Sequence, residues 1–151
     1  MASNSWAMKM YMLKHLPMGA LAGLKVVEID KRHAVVTVPY KPLNKNPFRS
    51  IYFAVLSMAA ELSSGILAMA LVADSSVPVS MLVLNMQASF TKKARTLIRF
   101  ECHDGDKIAD AVNESIKTGE GKTVEVSTTG YDTSGDVVAT FQFTWTFKPK
   151  K

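Results

Sequence analysis

Cysteine is nearly absent: Cys102 stands alone among 151 residues, which excludes an internal disulfide and a cysteine-built metal cluster within one chain. A lone thiol fits a reducing compartment, and a cytoplasmic protein is expected. Histidine is almost as scarce. His15, His33 and His103 are isolated from one another, with no ligand spacing that reads as zinc binding, so no metal site is expected. There is no G-x-S-x-G, no G-x-G-x-x-G and no P-loop, which removes the signatures of a serine esterase, a dinucleotide enzyme and a nucleotide hydrolase. The N-terminal "MASNSWAMKMYMLKHLPMGALAG" lacks arginine, against a transit peptide, and Lys9 and Lys14 interrupt any secretory apolar run. Low-complexity tracts and solenoid repeats are missing as well.

What is present is the composition of a folded domain, 48% hydrophobic and 21% charged, read as one domain over 1–151 with an N-terminal helix at 1–18 and a basic tail at 148–151. The net charge of +5 is spread along the chain. It describes a soluble surface, and nucleic acid is not an expected partner because the aromatics fall on the apolar face of the last strand rather than among the cations.

Charge is missing most conspicuously from "NPFRSIYFAVLSMAAELSSGILAMALVAD", where Glu61 is the only acidic or basic residue between Arg49 and Asp74. The run is long enough to span a bilayer. Glu61 near its centre, with Ser57, Ser63, Ser64 and Gly65, argues instead for a helix of about 51–73 buried on most sides of a soluble fold, started by Ser50 as cap. Before it, "LAGLKVVEIDKRHAVVTVPYKP" reads as a hairpin turning at Asp30 to His33. After it, Leu82, Leu84, Met86, Ala88 and Phe90 alternate with Asn85, Gln87 and Ser89. "RTLIRFECHD" continues as a strand, and "DKIADAVNESIK" reads as a short surface helix. "DTSG" turns a final hairpin whose second strand carries Val137, Ala139, Phe141, Phe143, Trp145 and Phe147 on one face. The fold class is α+β: an antiparallel sheet of about five to six strands wrapped around the one helix apolar enough to fill its concave side.

That order, together with "NPFRSIYFAVLSMAAELSSG", "VSMLVLNMQASFTKKA", "TGEG" and "GDVVATFQFTWTFK", resembles the thioesterase-like hot-dog family, in a branch that is a domain of unknown function related to phenylacetate-pathway-type acyl-CoA thioesterases. The resemblance covers residues 15 to 148. It implies hydrolysis of an acyl-CoA-like thioester, coenzyme A entering as part of the substrate with no further cofactor, and a homodimer or dimer of dimers with the acyl tunnel at the interface. A non-catalytic binder of acyl-CoA, fatty-acyl or aromatic ligands is the alternative. In the better-understood relatives an Asn in the loop, His-Gly-Gly at the helix start and an acid two turns on form the site. On this chain the acid falls on Glu61, Tyr52, Phe53 and Ala54 stand at the His-Gly-Gly positions, and Asn46 lies one residue from the asparagine.

Glu61 is therefore the candidate base or nucleophile, with Asn46 and Tyr52 as assistants. The structural alternative is a buried acid satisfied by Ser57, Ser64, Asn85 or Gln87. Those four and Phe53 are the candidates for contact with substrate, and Arg49, Lys92, Lys93 and Arg95 are candidate partners for coenzyme A phosphates. Nine methionines suit an adaptable tunnel or an adaptable core equally.

Overall fold

The computed structural model describes residues 5–151. Two short helices come first, α1 (Ser5–His15) and α2 (Pro17–Ala22), followed by strands β1 (Lys25–Ile29) and β2 (Ala34–Val38). The long helix α3 (Phe53–Ala73) precedes β3 (Val79–Phe90) and β4 (Ile98–Cys102), then α4 (Gly105–Thr118), β5 (Lys122–Tyr131) and β6 (Val137–Pro149). The strands form one open sheet in the order β1-β2-β4-β5-β6-β3, and every neighbouring pair is antiparallel. α3 packs against β2, β4, β5 and β6. This is the curled sheet around a central helix that the resemblance implies.

The expected first helix is two helices. Pro17 has no N–H to extend α1 but is tolerated in the first turn of a new helix, so the break at Leu16 starts α2. The first four residues of the 1–18 segment lie outside the described residues. Gly23, with φ 83°, closes α2 by donating back to Ala20 and Gly19.

α3 begins at Phe53 rather than Ile51, and Ser50 does not cap it. Residues 50–52 are held by tertiary bonds: Ile51 N–H donates to Ala94 O (2.9 Å) and Tyr52 N–H to Asn44 O (2.8 Å). The expected basic tail is also shorter, because Lys148 and Pro149 belong to β6 opposite Ser80 and Val79.

β6 keeps the alternation read from its sequence. Phe141, Phe143, Trp145 and Phe147 are buried in the core beneath α3 and α4, and each buried Phe contributes about 1.5–3 kcal/mol relative to exposure. Val137 is the exception: a register shift against β5 leaves Val138 as an extra residue, so Val137 is exposed while Val138 and Ala139 are both buried. α4 is more than a surface insertion: Ile108, Ala111 and Val112 are buried, and it packs on α3, β5 and β6.

β3 departs from strict period two. Between Val83 and Asn85 the register with β6 shifts, leaving Leu84 as the extra residue of a bulge. Met81 and Val83 face inward opposite Phe147 and Trp145; beyond the bulge Met86 and Ala88 take the inward positions opposite Phe143 and Phe141. Leu82, opposite Thr146, belongs to the outer face with Asn85 and Gln87, so the apolar residues of β3 do not share one face.

Candidate functional site

Glu61 sits midway along α3, where it lines a cleft of about 300 Å³. The other walls are Leu16, Pro17, Met18 and Gly19 at the α1–α2 junction, Leu24, and Met58 and Leu62 on α3, with exposed His15 at the rim. The lining is almost wholly apolar, and desolvation raises the Glu61 pKa above its usual 4.5. Gly65, one turn further, gives the carboxyl room: a Cβ there would stand 3.2 Å from Glu61 Oε1 and 3.4 Å from the Trp145 ring.

No described side chain hydrogen-bonds the Glu61 carboxyl. The serines expected to satisfy it are engaged elsewhere. Ser57 Oγ donates to Phe53 O (2.8 Å), and Ser64 Oγ donates to the Glu61 backbone carbonyl (3.1 Å) while accepting from Trp145 Nε1–H (3.0 Å). Ser63 joins Thr128 across 2.7 Å. Ser63 and Ser64 are thus bolts between helix and sheet. Asn85 and Gln87 pair with Thr144 and Gln142 on the outer face of the sheet, where they line a separate polar hollow of about 340 Å³ with Glu125. The bulge puts the whole sheet between them and Glu61 within this chain.

The remaining candidates gather at the start of α3. Asn46 is committed to its own loop: its Oδ1 accepts from Phe48 N–H (3.0 Å), Ser50 N–H (3.1 Å) and Ser50 Oγ (3.2 Å). This is the turn chemistry an Asn before proline supplies. Arg49 adopts φ 59°, an uncommon left-handed conformation, and its carbonyl accepts from Tyr40 Oη (3.0 Å). Tyr52 and Phe53 are exposed and pack edge to face at 5.1 Å, and Phe53 meets Phe90 of β3 at 6.2 Å. The N–H groups of Phe53 and Ala54 have no partner among the described residues, the usual condition of a helix's leading donors. With a rise of about 1.5 Å per residue they stand roughly 12 Å along the axis from Glu61. One chain therefore separates the acid from the donors.

The Ile51 to Ala94 bond lays the β3–β4 loop beside the helix start, so exposed Arg49, Lys93 and Arg95 come from neighbouring segments there. Lys92 does not join them. Its Nζ is held by Asp132 (2.6 Å) and Asp136 (2.7 Å), tying that loop to the β5–β6 turn. The hydrogen bond from Lys92 lowers the Asp132 pKa, and the same contacts raise that of Lys92.

Sequence reading missed Gly65 and the α1–α2 junction. A glycine four residues after the only acid of an apolar helix was the available signal for the first; the second is a tertiary contact that no local pattern encodes. His33, read as isolated, lies between Glu28 (3.1 Å) and Asp30 (2.8 Å) in the β1–β2 turn and stacks on His103. Neither this cluster nor any other group of three or more His, Cys, Asp or Glu among the described residues is placed to hold a metal ion. α3 is the one described helix long and apolar enough to cross a membrane, and more than half of its apolar window is buried in the fold.

The open antiparallel sheet curled around α3 is a thioesterase-like hot-dog fold. The chain belongs to the DUF4442 family, a domain of unknown function, whose model matches residues 4–147. No curated protein matches it. Among solved structures it is similar to a Pseudomonas aeruginosa protein of unknown function and probable thioesterase, at 20% identity and TM-score 0.79 over 96% of both chains. A Chlorobaculum tepidum protein of unknown function is similar at 17% identity and TM-score 0.81, over 97% of this chain and 94% of that one. A Haemophilus influenzae thioesterase follows at 10% identity and TM-score 0.72, over 99% and 93%. At these identities the likeness is one of fold.

Proposed function

We propose that the protein hydrolyses an acyl-CoA-like thioester, with Glu61 as the base that activates water. The observation that carries this is a carboxyl with no described hydrogen-bonding side chain, raised in pKa by burial, at the wall of an apolar cleft. Glu61 is only partly buried, so water in the cleft can reach its carboxyl, and the serines beside it are not turned toward it. Glu61 takes a proton from water as the oxygen bonds to the thioester carbonyl carbon. The carbon–sulfur bond then breaks, and the proton returns to the leaving thiolate. Several similar solved structures are thioesterases by description.

The carbonyl oxygen needs donors as its charge develops. The free N–H groups of Phe53 and Ala54 suit that task but stand about two turns from Glu61 on their own helix. A second copy, joined through the unpaired β3 edge, supplies them to the first copy's acid, which is the reason to read the functional unit as a homodimer. Arg49, Lys93 and Arg95 fit the phosphates of the coenzyme, and Tyr52 and Phe53 fit its entry. Asn46 acts here by shaping the loop.

Steady-state hydrolysis of straight-chain and aryl acyl-CoAs by wild type and Glu61→Gln tests the reading. The expected loss in kcat is about 10²–10⁴-fold, the contribution of a general base. Turnover that survives the substitution contradicts it. Tight acyl-CoA binding with no turnover by either protein establishes the second reading, a binder, which the bulky Phe53 and Ala54 at the helix start favour.

A further inference from the structure

We propose that a groove between α1 and β1, separate from the Glu61 cleft, is a binding site for a free long-chain carboxylate anion. The groove measures about 520 Å³, within the range of about 300–1,000 Å³ typical of small-molecule sites. Its walls are Met8, Met12, Leu13, Leu24, Val26 and Val27, and Lys9 and Lys25 stand at its rims. Both lysines are exposed, and neither forms a salt bridge among the described residues. Residues 5–27 contain Lys9, Lys14 and Lys25 and no acid. An apolar trough with unneutralised cations at its edge matches an amphiphile with an apolar tail and one anionic head.

The shape selects the source. α1 also exposes Trp6, Met10 and Leu13, the outward apolar side a bilayer would take, but the groove itself is concave and shared by a helix and an edge strand, which suits a single amphiphile. Methionines on the helix side allow the walls to adjust to tails of different length. Leu24 belongs to both cavities and, with Met12, packs within 3.2–3.3 Å of the position a side chain on Gly19 would take. That partition separates the groove from the Glu61 cleft, so occupancy of one does not need the other.

The test is a titration of the full chain with octanoate, laurate and palmitate below their micelle-forming concentrations, by calorimetry or displacement of a fluorescent fatty acid. The expected result is saturable binding that tightens with chain length and weakens about ten-fold for the Lys9→Glu/Lys25→Glu double variant and for methyl palmitate. Val27→Trp, which fills the groove from an exposed position, should also abolish binding, and Glu61→Gln should leave it intact. Hydrogen–deuterium exchange on the unmodified protein should show palmitate protecting α1 and β1. Carboxylate binding indifferent to the charge reversal and to Val27→Trp overturns the proposal. So does association with anionic vesicles alone, or a groove covered by a second copy, seen as a shift to monomer in the Val27→Trp variant without any fatty-acid binding. Because Glu61→Gln separates the two sites, loss of hydrolysis with binding retained bears on the enzyme reading alone.

Discussion

Glu61 is a carboxyl whose ionised form is unfavourable for stability where it stands. Burial raises its pKa, so its folded-state value lies above its unfolded one. The contribution to stability is fully present below the ordinary 4.5 and is lost as pH rises through the folded value. Glu61→Gln should therefore melt higher than wild type at neutral and mildly alkaline pH, by about 2–4 °C for each kcal/mol of relief, with the gap closing in acid. Thermal unfolding against pH checks this, and a variant that melts lower throughout contradicts it. Gly65 makes the complementary case. Gly65→Ala gains up to about 1 kcal/mol of helix propensity, yet its methyl would crowd the Glu61 carboxyl and Trp145. Activity should fall while the melting temperature holds, and paired kinetic and thermal measurements read both. Cys102 is inert by the same logic: burial pushes its thiol up to about 11, and a thiol reagent should label it only as the protein unfolds.

At the scale of elements, the parts legible in the sequence were those whose burial follows one period. β6 and α3 announced themselves through the alternating aromatics and the unbroken apolar run, and they position the core. β3 was misread because a one-residue bulge at Leu84 leaves no mark in composition, yet it turns Asn85 and Gln87 to the outer face. The start of α3 was misread for a related reason: Ser50 is a good cap by type, but the Ile51 to Ala94 and Tyr52 to Asn44 bonds outcompete it. The acid itself was legible as the single charge in its helix, whereas the residues facing it from α1 and α2 were not. Lys92 looked like a coenzyme contact and proves to be the tie between two loops. Because Lys92 holds the Asp132 pKa below 3.8, that tie adds stability above the ordinary carboxylate range and loses it as pH falls through the folded value. Lys92→Met should remove this part of the acid-side slope in unfolding experiments and leave kcat unchanged; an unaltered slope contradicts the assignment.

For the molecule as a whole, the open sheet leaves β1 and β3 as edges, and the two carry different expectations. In the proposed homodimer the β3 edge would join copies and bring the helix-start donors of one chain to Glu61 of the other, groups that stand about two turns apart within one chain. The β1 edge, beside α1, forms the wall of the lysine-rimmed groove. Fold and family membership do not by themselves choose between an enzyme and a binder, since one architecture serves both. The choice falls to the protonation state of one carboxyl during turnover. The most direct measurement is the pH dependence of kcat/KM for an acyl-CoA in wild type and Glu61→Gln. Wild type should show an acid limb with its midpoint above 4.5, and the variant should be flat at a much lower rate. An acid limb that persists unchanged in Glu61→Gln, at an undiminished rate, would contradict the assignment of Glu61 as the base.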